Sequence, residues 1–179
     1  MRKEKRNFGE LTKGSKIDYM LNIKQSFRTG LGFGVTSGII TTLGLMVGLH
    51  SGTNSRMVVL GGILFIAVAD ALSDALGIHV SEESKKTHVP QETWEATAST
   101  FLSKFVIALT FVVPILLIPL FWAVIVSVLW GLSLISLFSF YVAKQQNAKP
   151  YKVISEHLII AILVIITTHY LGNWVATLG

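Results

Sequence analysis

The chain has 179 residues, of which 51% are apolar and 14% charged, with a formal charge of +5 and no cysteine. Positive mean hydropathy at this length excludes a water-soluble globule and leaves an integral membrane protein with material for one domain. The lack of cysteine excludes disulfides, thiolate metal sites and thiol redox chemistry. The positive charge does not call for nucleic acid: eight of the fifteen basic residues precede Thr29, beside the first apolar span, where they read as a topology signal and lipid-headgroup contact.

Residues 1–29 are polar and basic. Within them Ile17, Met20, Leu21, Lys24 and Phe27 recur at helical spacing and predict an amphipathic helix that leads into the membrane. The first apolar run starts near Leu31, too late for a signal peptide. Residues 30–179 then predict an all-α domain of five transmembrane helices, with spans at about 31–49, 57–80, 101–119, 122–142 and 154–176. The first span is rich in small residues. Gly34, Gly38, Gly44 and Gly48, with Thr36, Ser37, Thr41 and Thr42 between them, give small-x-x-x-small pairs that let helices pack closely and are compatible with lining a path.

A turn over His50–Arg56 leads to the second span, which carries two aspartates. Asp70 falls near its middle and Asp74 one turn on, and Asp70, Ser73, Asp74, Gly77 and Ser81 share one helical face. An ionised aspartate at bilayer depth costs roughly 2.5–3.5 kcal/mol on insertion scales. The pair is therefore expected to face a partner helix, a cavity or an ion.

The next polar stretch holds Glu82, Glu83, Lys85, Lys86, His88, Glu92 and Glu95, with Pro90 placed to open a helix. A solvated loop is its simplest reading. Its carboxylates and imidazole also suit iron, manganese or zinc, so His79, Glu82 and Glu83 are weak candidates for admitting metal from the cytoplasm. No charged residue occurs from Phe105 to Ala143, far more chain than one span requires, which implies two helices and a tight hairpin. Pro119, followed by Phe121 and Trp122, marks the turn, and Pro114 is expected to kink the third span. In the fifth span, Glu156 and His157 read as interfacial and His169 as a headgroup-level residue.

Basic residues set the orientation. With the N-terminus inside, the inner segments carry eight, three (Lys104 included) and three Lys or Arg, and the outer ones only Arg56. The C-terminus is then outside. An odd number of spans leaves no simple internal repeat, so a symmetric path requires a homodimer with an isologous interface.

The stretch Gly34-Val-Thr-Ser-Gly38-Ile-Ile-Thr-Thr-Leu resembles the first-span signature of the vacuolar iron transporter family, roughly Gly-Ala-Asn-Asp-Gly followed by an aliphatic pair and Ser/Thr. Ala71-Leu-Ser73, Gly77 and Val80-Ser81 resemble that family's second span, and the third-span prolines and Tyr170-Leu-Gly172 are also similar. The resemblance covers about residues 28–178. It implies a short, prokaryotic-like member: a five-helix homodimer, in the cell membrane if prokaryotic, that exports Fe²⁺ or Mn²⁺ from the cytoplasm in exchange for protons. The path would lie at the dimer interface between first and second spans, with no permanently bound cofactor. The departures are specific. The family's first-span Asp corresponds to Ser37 and the Asn before it to Thr36; a second-span methionine corresponds to Asp74, and the Glu after the motif glycine to Ile78. The long glutamate-rich cytoplasmic insertion is missing.

Asp70 and Asp74 from two protomers are accordingly expected to form a midplane metal site, helped by Ser73, Ser37, Thr36 and Thr41, with Gly34, Gly38 and Gly77 serving helix packing. Crowded, desolvated carboxylates favour protonation, so an arriving metal would expel protons. The competing expectation is a non-transporting scaffold whose polar residues hold a dimer together. An enzyme is not expected, since no nucleophile elbow, HExxH or phosphate loop is present.

Overall fold

The computed structural model describes the backbone of residues 2–85 and 89–178, with side chains from Lys24 onward. The fold is all-α. Among the described residues five helices are long and apolar enough to cross a membrane: Lys24–Thr53, Arg56–Glu83, Pro90–Leu117, Leu120–Gln145 and Pro150–Ala176, here the first to fifth spans. The chain is a multi-pass integral membrane protein. Helical backbone runs unbroken from Arg2 to Thr53, so the basic segment continues directly into the first span. Lys24 and Phe27 are exposed there. Ile17, Met20 and Leu21 lie outside the residues whose side chains are described.

Short polar caps make the turns. Asn54 takes a left-handed φ of 47°, and the Ser55 hydroxyl accepts from the Val58 amide at 3.5 Å to open the second span. Pro90 opens the third, where its missing N–H costs nothing. Pro114 cannot donate to the Thr110 carbonyl, and the third span breaks at Phe111 between Pro90–Thr110 and Val112–Leu117. Ile118 and Pro119 are extended and form the hairpin into the fourth span. The Arg56 guanidinium donates to Ile118 O at 2.9 Å, tying two turns together at one end of the bundle.

The second span is not a uniform α-helix. Its α-helical start, Arg56–Phe65, passes into a π-helical turn at Ile66–Asp70 before α-helix resumes over Ala71–Glu83. Such turns insert a residue into the helix and recur at functional sites. Here the turn ends on Asp70.

Lipid is as apolar as leucine, so close contact, not burial from water, holds the bundle together. Ile39, Leu43, Met46, Ile63, Phe111 and Ile135 form its apolar centre. Around them the first span presents two glycine rows. Gly34 and Gly38 lie against the third span, and a Cβ on Gly34 would stand 2.5 Å from Thr100 O. Gly48 faces the fifth span, where a Cβ would stand 3.3 Å from Thr168 O. Gly77, expected to serve packing, has nothing within 4 Å in the protomer. It sits on an open face with Leu72 and Leu76.

One residue is placed differently from expectation. Lys104, counted above among the cytoplasmic flanking charges, is completely buried inside the bundle. It contributes nothing to the inner charge tally.

Candidate functional site

Ser37, Asp70, Asp74 and Lys104 lie near the middle of the first three spans and meet there. The Lys104 Nζ stands 2.5 Å from Asp70 Oδ2 and 2.5 Å from Asp74 Oδ2. It also donates to Ser37 Oγ at 3.0 Å, and the Ser37 hydroxyl donates to Asp74 Oδ2 at 2.6 Å. An ammonium has three N–H groups and no acceptor, so it serves the Ser37 and Asp74 oxygens as hydrogen-bond acceptors while resting in charge contact with Asp70.

The two carboxylates are held unequally. Asp74 accepts hydrogen bonds from both Lys104 and Ser37. Asp70 Oδ2 is buried and in charge contact with Lys104, yet off the line of any hydrogen bond. The Asp70 side chain is 37% exposed against 21% for Asp74. With all three groups ionised, two carboxylates against one ammonium leave one negative charge, and Asp70 is the less neutralised of the pair.

Asp70 also reaches a groove. A cavity of about 820 Å³, open along one side, runs between the first, second and fifth spans, with Asp70 and Thr41 in its lining. A smaller cavity of about 270 Å³ shares Gly44, Leu45, Leu49 and Thr168 with it and extends to Thr53 and Val175, at the end of the bundle opposite the basic segment. The polar cluster thus opens sideways and toward that end. Toward the other, the Gly34 and Gly38 contacts close the first span onto the third.

The other expected site residues divide. Thr41 donates to Ser37 O at 2.8 Å, one turn from the cluster. Thr36 donates to Gly32 O at 2.8 Å and makes no contact with it, and Ser73 is exposed on the outer face of the second span. Of the trio expected to admit metal, His79 lies 3.5 Å from Glu83 and is braced edge-on against Trp94. Thr97 gives its hydroxyl proton to Thr93 O, so His79 Nδ1 must donate across the 3.0 Å to Thr97 Oγ1. Glu82 does not join them: it is buried, with both oxygens gripped by Lys85 at 2.7 Å. Among the described residues no three His, Asp or Glu side chains come together as a metal would need. Lys86 and His88 lie outside the described residues.

Lys104 is the functional residue that sequence reasoning missed. Its one signal was a lone cation at the edge of a predicted span, one turn from Thr100, in a chain whose second span needs a counter-charge. No family model matches the chain, and no curated protein matches it.

Proposed function

We propose that this protein is a membrane transporter of divalent cations, Fe²⁺ or Mn²⁺, in which Asp70 and Asp74 hold the travelling ion in place of the Lys104 ammonium. The observation that carries this reading is the carboxylate pair at mid-span with one member facing a groove that leads out of the bundle. Buried ionisable groups are expensive in a bilayer and characteristically mark ion pathways. The choice of metal, export from the cytoplasm in exchange for protons, and the homodimer come from the resemblance to vacuolar iron transporters. Carboxylate and hydroxyl oxygens are hard ligands that suit such ions. Two carboxylates cannot wrap a metal while an ammonium stands between them. Lys104 therefore acts as a resident cation that must move aside, and the empty carrier is stabilised by it.

The test is uptake into proteoliposomes of Fe²⁺, Mn²⁺, Co²⁺, Zn²⁺ and Ca²⁺ under an imposed pH gradient, with the parent protein and Asp70→Asn. Flux that needs Asp70 supports the reading, and its response to the gradient reports proton coupling. Equal flux in Asp70→Asn overturns it.

A second reading has its own support. Lys104 is completely buried and joins three spans, which is what a structural clamp would do. A folded protein that carries none of the five ions would favour this scaffold reading.

A further inference from the structure

The groove beside Asp70 has a chemistry of its own. Its walls are largely apolar, with Gly44 packed against Val164 and Gly62 against Leu45 and Leu49, and with Phe65 presenting an aromatic surface. Its polar atoms are acceptors. Thr41 commits its hydroxyl proton to Ser37 O, and Thr168 commits its own to Val164 O, so both offer only lone pairs to the cavity. The third polar group is the Asp70 carboxylate. No polar hydrogen among these groups is available to an anion.

Charge points the same way. Two carboxylates and one ammonium leave a single negative charge, and Asp70 carries the less compensated part of it. One positive charge balances the cluster without displacing Lys104. The volume of about 820 Å³ lies in the range of pockets that hold drug-sized molecules. We infer that this groove binds an amphiphilic monovalent organic cation, its charge against Asp70 and its apolar body along the first, second and fifth spans. Phe65 adds a ring face to the cation's surroundings. Such a molecule partitions into the bilayer and reaches the groove through its open side. The inference does not depend on metal transport, because it uses the site with Lys104 in place.

The probe is radiolabelled tetraphenylphosphonium, measured by equilibrium dialysis on the full-length protein in nanodiscs with no metal added. Protein-dependent, saturable binding is expected. Asp70→Asn should weaken it about tenfold or more, because it removes the charge partner at a desolvated site. Ala69→Leu, at an exposed position on the groove wall, should fill the groove and weaken binding comparably while leaving Asp70 in place. Neutral triphenylmethane, lacking the charge, should fail to compete. The variants' folding is checked by gel filtration and circular dichroism; if Ala69→Leu does not fold, Val58→Trp, on the same groove wall, takes its place. Undiminished binding in Asp70→Asn, equal competition by the neutral analogue, or no binding to the parent would each overturn the inference. The last result, with a dimeric particle, would mean that a second copy covers the groove.

Discussion

The Ser37 hydroxyl donates to Asp74 Oδ2 across 2.6 Å and so ties the first span to the second. Lys104 then bridges the same two side chains.

A swap across this contact should therefore be tolerated better than its halves. Ser37→Asp alone puts a third carboxylate against one ammonium and is expected to cost about 1–3 kcal/mol of stability. Adding Asp74→Ser returns the cluster to two acids and one base and should recover most of that loss. Unfolding in mixed detergent micelles, run on both singles and the double, measures the coupling. Simple additivity of the two changes would show that the contact carries no energy.

Removing the buried cation should be the most damaging single change in the cluster. Lys104→Met strands two carboxylates away from water, and breaking a buried ion pair in this one-sided way typically costs about 3–5 kcal/mol. The triple variant Lys104→Met, Asp70→Asn, Asp74→Asn has no charge left to strand and should regain most of the parent stability. The same unfolding assay decides it. If the triple variant is as unstable as Lys104→Met alone, the loss comes from the lysine's packing and not from its charge.

The two kinds of glycine should respond oppositely to alanine. At Gly34 a Cβ would stand 2.5 Å from Thr100 O, a backbone atom that cannot turn away, so Gly34→Ala is expected to push the first and third spans apart at about 1–3 kcal/mol. At Gly77 nothing lies within 4 Å, and Gly77→Ala should leave protomer stability unchanged or slightly higher. Comparing thermal melts of the two separates glycine as spacer from glycine on an open face. A dimer lost on Gly77→Ala, at unchanged protomer stability, would place that face against a second copy.

How much was legible in the sequence follows from how each feature is encoded. Spans are written in runs of apolar residues, and turns in prolines and small polar residues, so Pro90, the Pro119 hairpin and the break before Pro114 could all be located from local chemistry. The meeting of Ser37 with Asp74 is a tertiary contact that no helical period specifies, although both residues could be named as candidates. Lys104 was misplaced for a definite reason. It immediately precedes the uncharged run that begins at Phe105, and a charge at the border of an apolar run reads as a flank. Only the height of the third span, set by its Pro90 start, puts that border at mid-bilayer. The π-helical turn before Asp70 has no Gly or Pro to announce it, and the groove exists only once the fifth span packs beside the first two.

Moving Lys104 inside the bundle leaves the orientation argument standing on exposed charges alone. The N-terminal segment holds eight basic residues, the second inner loop Lys85 and Lys86, and the third Lys144, Lys149 and Lys152, against Arg56 on the other side. The positive-inside rule then predicts a cytoplasmic N-terminus, which would turn the end of the groove at Thr53 toward the outer surface. Because the chain has no cysteine, single-cysteine variants report each end without background. Thr53 and Lys149 are both exposed, at opposite ends of the bundle. A membrane-impermeant maleimide applied to intact cells should label Thr53→Cys and spare Lys149→Cys until the membrane is opened. The reverse pattern would put the N-terminus outside and turn the open end of the groove toward the cytoplasm.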